Sequence, residues 1–117
     1  KHKPPAARDR FNRHAAHLCT SSVVIAELLH GAEKSARPDR NRDAVEAFAA
    51  RLEVVSFDDR AAAHYGVIRA GLEGQGTPIG PYDLMIAAHA RSLGLTLVTN
   101  NTEEFQRVPG LLLENWV

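Results

Sequence analysis

Gly80-Pro81-Tyr82-Asp83-Leu84-Met85-Ile86-Ala87-Ala88-His89-Ala90-Arg91-Ser92-Leu93-Gly94, followed at once by Leu95-Thr96-Leu97-Val98-Thr99, is the stretch whose reading decides the fold class. Pro81 suits a first helical turn, where its missing N–H costs nothing and its φ is already helical. Gly94 is a helix stop signal. Leu95–Thr99 is the strongest strand candidate of the chain, short and dominated by apolar and β-branched residues. A helix that leads through one glycine into such a strand predicts an α/β arrangement.

The same alternation extends outward in both directions. Upstream, Gly74-Gln75-Gly76-Thr77-Pro78 reads as a loop, preceded by a helix with Ala62, Tyr65, Gly66, Ile68, Arg69 and Leu72, which Asp58 or Asp59 can cap. Before it come a strand over Glu53–Phe57 and a helix from Asp39 to Leu52, whose apolar face holds Val45, Phe48, Ala49 and Leu52. Ser35 to Pro38 breaks the pattern. Ser21 or Ser22 can cap a further helix with Val24, Ile25, Leu28, Leu29 and Ala32 on one face. Leu18-Cys19-Thr20 predicts a buried strand, with Cys19 as a small apolar filler. Pro4-Pro5 opens a basic helix through His14. Downstream, Asn100-Asn101 turns into a short helical piece around Glu104 and Phe105, and Leu111–Leu113 is a last strand candidate. Short strands of continuous apolar character between helices predict a mainly parallel sheet buried on both faces.

At 117 residues the chain has the size of one domain. With 44% hydrophobic and 24% charged residues it has the balance of a globular protein, which argues against disorder. No apolar run approaches the ~20 residues that span a bilayer, and the basic N-terminus lacks the apolar stretch of a signal peptide. One cysteine excludes an intramolecular disulfide framework and a cysteine-based zinc site. Six histidines show no HExxH spacing, and no glycine-rich phosphate loop is present. The net charge is zero, so no global field favours a polyanion. Lys1, Lys3, Arg8, Arg10 and Arg13 nevertheless make one end basic, while Glu103, Glu104 and Glu114 make the other acidic. A solvated face is the plain reading of that basic helix, and a nucleic-acid contact the sharper one. A bacterial cytoplasm is the expected compartment.

In a parallel α/β sheet, strand C-termini and helix N-termini share one edge, where functional groups gather. Three segments deliver acids there: Glu27 early in its helix, Asp83 in a first turn, and Glu104 shortly after the strongest strand. Gathered carboxylates repel unless a cation lies among them. Oxygen-only ligands select hard Mg²⁺ or Mn²⁺, which can activate water and stabilise a phosphodiester transition state. Each acid also has a plain structural reading. Glu27 and Glu104 read as surface acids by periodicity alone, Asp83 favours the helix dipole, and Asn101 suits a turn or left-handed position.

Ala26-Glu27-Leu28-Leu29-His30-Gly31-Ala32, then Pro78-Ile79-Gly80-Pro81-Tyr82-Asp83-Leu84-Met85-Ile86-Ala87-Ala88-His89-Ala90, then Leu97-Val98-Thr99-Asn100-Asn101-Thr102-Glu103-Glu104-Phe105 resemble the motifs of PIN-domain ribonucleases of the VapC toxin type, in family order over essentially the whole chain. The resemblance implies a single PIN-like α/β domain, a parallel sheet of about five strands flanked by helices. It implies Mg²⁺- or Mn²⁺-dependent cleavage of structured RNA, with the initiator tRNA anticodon loop as preferred substrate. It further implies homodimers neutralised by a VapB-type antitoxin. Carried over residue by residue, Asp83 and Glu27 match metal ligands, Glu104 a further catalytic acid near the metal, and Thr99 and Asn101 supporting positions. Asn101 stands where many relatives carry an Asp.

The family also begins with a strand ending in Asp-Thr-Asn, and nothing like it occurs before Lys1. The expectation is a domain lacking its first strand, completed by a separate peptide or a neighbouring chain, with the truncated chain alone inactive. Two rivals stand beside the ribonuclease reading: a catalytically inactive PIN-fold module that only contacts the antitoxin, and a metal-dependent DNA nuclease.

Overall fold

The computed structural model describes residues 5–14 and 18–116. It divides into two compact units, Arg8–Ser56 and the part from Phe57 onward.

Arg8–Ser56 carries most of α1 (Pro5–His14), then β1 (Cys19–Ser21), α2 (Ser22–Glu33), α3 (Pro38–Ala50) and β2 (Glu53–Val55). Ser21 is the residue that caps α2: its Oγ accepts from the Val23 N–H at 3.1 Å. Pro38 opens α3 in the first turn. β1 and β2 pair in parallel, with Cys19 opposite Glu53 and Ser21 opposite Val55. Arg42 on α3 pairs with Glu33 at the end of α2 (2.8 Å) and with Asp39 one turn back (3.2 Å). The Arg51 guanidinium lies 4.8 Å from the Phe11 ring centroid, a cation–π contact that ties α1 to the end of α3. Among the described residues of this unit only Ala32 is buried. Two expectations are corrected here. Cys19 is exposed rather than a buried filler, and Leu28, placed on the apolar face of α2, is 40% exposed. A two-stranded pair leaves β1 without cover on one side, and Leu28 falls at the margin of the arc that Val24, Ile25, Leu29 and Ala32 turn inward.

The second unit contains α4 (Asp59–Gly74), α5 (Pro81–Leu93), β3 (Thr96–Val98), α6 (Thr102–Phe105) and β4 (Leu112–Glu114). Asp58 caps α4 through the Ala61 N–H at 3.1 Å. Gly94 ends α5 at φ +66°, a left-handed conformation that a side chain would strain. β3 and β4 pair in parallel, Thr96 opposite Leu112 and Val98 opposite Glu114. The parallel pairing expected from the alternation is thus present in both units. α4 packs on α5 around Ile68, Leu72, Leu84, Ala87 and Ala88, and Phe105 and Val108 close the cluster from the α6 side. His89 is also buried, its ring edge-on to Phe57 with centroids 5.5 Å apart. Burial of the strands on both faces is not what the unit shows: Leu95, Val98 and Leu112 are 44%, 38% and 55% exposed. Each strand has one partner, so its outer edge and outward side chains lack cover within the unit. No described helix is long and apolar enough to cross a membrane.

Candidate active site

Asp83 owes its place to the start of α5. Gly80 occupies the N-cap with extended backbone (φ −59°, ψ 149°), Pro81 sets the first turn, and Asp83 follows inside that turn, half-buried and beside the core residue Leu84. A carboxylate there is favoured by the helix dipole and the unsatisfied first-turn amides.

Glu104 owes its place to the turn after β3. The Thr99 N–H donates to the Glu114 carbonyl at 3.0 Å, which extends the β3–β4 pairing by one residue. The Thr99 Oγ1 then accepts from the Asn101 N–H at 3.0 Å, a local hydroxyl turn that aims the chain into α6. Asn101 is the N-cap of α6 at φ −95°, ψ 59°, not in the left-handed region that its residue type allows. Its Nδ2 reaches the Glu104 Oε1 at a long 3.5 Å. Thr99, Asn101 and Glu104 are therefore one local unit, and Phe105, buried in the core, anchors it. Glu27 lies in the second turn of α2, in the unit Arg8–Ser56, with its residue exposed.

Among the described residues, no three His, Cys, Asp or Glu side chains stand close enough together to hold a metal ion. The donor chemistry of Asp83, Glu27, Glu104, Asn101 and Thr99 is nevertheless all oxygen, apart from one amide nitrogen, and suits a hard divalent cation rather than zinc. The sequence reading missed two arginines that brace this region. Arg107 donates to the Pro78 carbonyl at 3.2 Å. Arg91 donates through Nε to His64 Nδ1 and through Nη1 to the Pro109 carbonyl, both at 2.9 Å. These contacts join residues 18 to 29 positions apart, and no local spacing signals them.

Residues 2–111 match the PIN domain family. The chain belongs to the PIN-domain family. Within it, the chain stands among the VapC ribonucleases. It is 53% identical over 116 residues to the tRNA(fMet)-specific endonuclease VapC of Salmonella typhimurium, covering 99% of this chain and 88% of that protein. It is 50% identical over 117 residues to ribonuclease VapC2 of Haemophilus influenzae, covering 100% of this chain and 89% of the relative. The crystal structure of DNA-bound VapBC from Salmonella typhimurium superposes with a TM-score of 0.94 at 53% identity, covering 97% of this chain and 86% of that one. The PIN-like α/β fold expected from the three motifs is the fold observed.

Proposed function

We propose that this PIN domain is a metal-dependent endoribonuclease toxin that hydrolyses a phosphodiester in the anticodon loop of initiator tRNA, and that a VapB-type antitoxin neutralises it. The observation that carries the reading is 53% identity, across 99% of the chain, to an enzyme named as a tRNA(fMet)-specific endonuclease. The solved VapBC assembly of the same fold supports an antitoxin partner. Homodimers in a bacterial cytoplasm complete the proposal.

In this reading Asp83 and Glu27 ligate Mg²⁺ or Mn²⁺, and Glu104 binds the metal or holds the attacking water. A bound divalent cation supplies Lewis-acid stabilisation of the charge that builds on the phosphoryl oxygens. Thr99 and Asn101 support Glu104: the hydroxyl turn fixes where α6 begins, and the Asn101 amide faces the Glu104 carboxylate. An amide at position 101, in place of a further acid, leaves the role to the acids that open α6, of which the half-buried Glu104, not the exposed Glu103, meets the Asn101 amide.

A second reading, a catalytically inactive PIN-fold module that contacts only the antitoxin, is favoured by Asn101, an amide where a further acid would add a metal ligand. One experiment separates the two. The purified full-length protein is titrated with Mg²⁺ and Mn²⁺ against initiator tRNA, a non-initiator tRNA and single-stranded DNA, with Asp83→Asn in parallel. The endoribonuclease reading expects metal-dependent cleavage of the initiator tRNA. It also expects Asp83→Asn to remove that cleavage by at least the roughly 10–100-fold that losing even an outer-shell partner costs, with the fold intact. Antitoxin binding without cleavage under any metal supports the inactive module. Cleavage of the DNA alone supports a DNA nuclease.

A further inference from the structure

We propose that Arg107 is a positioning residue that fixes the start of the Asp83 helix to the turn carrying Glu104; this rests on the functional reading above. The case begins with what α5 lacks. Its N-cap is Gly80, which has no side chain to cap the first amides. The residues before it, Pro78-Ile79-Gly80, lie outside any helix or strand, and Gly80, which precedes Pro81, is extended. Local bonds bracket this segment: the Thr77 N–H donates to the Leu72 carbonyl at 2.9 Å, and the Leu84 N–H to the Gly80 carbonyl at 2.9 Å. Ile79 packs against the core from one side. These contacts fix the ends of the segment. With Ile79 seated on the core, none of these contacts holds the Pro78 carbonyl.

Arg107 holds that carbonyl. Its guanidinium donates to the Pro78 carbonyl at 3.2 Å across 29 residues of chain. Pro78 can enter the arrangement only as an acceptor, because it has no N–H. The other end of the brace is rigid. Arg107 sits between Phe105 and Val108, each 4% exposed and part of the same core cluster as Leu84. Its own N–H donates to the Glu104 carbonyl at 3.3 Å, and the Val108 N–H to the Phe105 carbonyl at 3.1 Å. The backbone of Arg107 is thus fixed to the turn that carries Glu104, while its side chain holds the loop that delivers Asp83. Catalytic geometry tolerates displacements well below 1 Å, so acids on two separate segments need such a link. The contact is exposed, so it sets position and adds little to global stability.

The test compares Arg107→Ala and Arg107→Lys with the wild-type protein. Amide hydrogen exchange is read at Thr77 and Leu84, whose N–H groups donate to the Leu72 and Gly80 carbonyls, Mn²⁺ binding by calorimetry, and cleavage of initiator tRNA as kcat and KM. Arg107→Ala is expected to unfold at the wild-type temperature within about 2 °C, as a surface change should. It is also expected to speed exchange at Thr77 and Leu84 about tenfold, weaken Mn²⁺ binding several-fold and lower kcat with KM unchanged. Arg107→Lys, which keeps a donor within reach of the carbonyl, restores part of each. Unchanged exchange and Mn²⁺ affinity in Arg107→Ala would overturn the proposal, as would losses that scale with a large fall in global stability. If the wild-type protein cleaves no RNA with any divalent metal, the functional reading fails, and exchange at Thr77 and Leu84 alone decides whether Arg107 holds the loop.

Discussion

The unit from Phe57 onward and the unit Arg8–Ser56 contain the same kinds of element, yet they bury very different things. Each has two helices of three turns or more and one parallel pair of three-residue strands. The later unit encloses Ile68, Leu72, Leu84, Ala87, Ala88, Phe105 and Val108 in one cluster. In the earlier unit α3 has no buried residue: Val45, Phe48 and Ala49 are half-buried at best, as is Leu52 just beyond it. The ion pairs of Arg42 and the Arg51–Phe11 cation–π contact stand where the later unit has a core. Secondary structure therefore does not measure independence. Interdigitated large side chains do, because they supply the transfer and dispersion terms that offset chain entropy. Asp83 and Glu104 each adjoin a core residue of the later unit, Leu84 and Phe105, whereas Glu27 is carried by the shallower one.

The largest test of that contrast is a matched pair of truncations. Phe105→Ala removes a 4% exposed ring from a packed cluster and is expected to cost about 3–5 kcal/mol. Phe48→Ala removes a ring that is only half-buried and is expected to cost about 1–2 kcal/mol, in proportion to the apolar area it covers. Urea denaturation of both variants gives the comparison, and equal losses would break it. The Phe105 variant should also lose RNA cleavage beyond its loss of folded protein, because the anchor of the Glu104 turn goes with the ring.

A smaller effect sharpens the contrast. Ser21 caps α2 and Asp58 caps α4 with hydrogen bonds of the same 3.1 Å length. Replacing either by Ala is expected to cost about 1 kcal/mol. The distribution should differ. Native-state hydrogen exchange should show Ser21→Ala loosening amides of α2 and α3 while α4 and α5 keep their protection. Asp58→Ala should lower protection across α4 and α5 together, since those helices share one core. Identical exchange patterns for the two variants would mean that the units open as one.

Those caps were legible in the sequence, and the reason is locality. Ser21, Asp58, Pro81 and Gly94 act within one helical turn, so residue type and position place Pro81 and Gly94 and narrow the two caps to Ser21 or Ser22 and Asp58 or Asp59, and the strands at β3 and β4 followed from short apolar runs between such signals. Residue type at helix starts and strand ends likewise marked Asp83, Glu104 and Glu27 as candidates. The contacts that set their geometry left no such mark. The tie from Arg107 to Pro78 and that from Arg91 to His64 and Pro109 depend on how helices pack. Exposure was misjudged at Leu28, Leu95 and Cys19 for a related reason: an apolar run states what a segment would bury, not whether a partner covers it.

Cys19 gives the smallest and most local test. It is exposed in β1, yet its thiol titrates above the ordinary cysteine value, first because its surroundings partly desolvate the thiolate and second because Glu53, its register partner in β2, is negatively charged. Both causes disfavour the ionised form in the folded chain only. The resulting contribution to stability is therefore present below the ordinary thiol range and is lost as pH rises through the elevated folded value. The thiolate is the nucleophile, so alkylation by iodoacetamide near pH 8 should run slower than for the same cysteine in the urea-unfolded chain, and the two rates should converge at strongly alkaline pH. Glu53→Gln should recover part of the deficit and no more, because desolvation is the larger cause. A folded chain that reacts as fast as the unfolded one at pH 8 would show that the β1–β2 pair does not hold Cys19 and Glu53 in register, and with it that the shallower unit lacks even the strand pairing it shares with the deeper one.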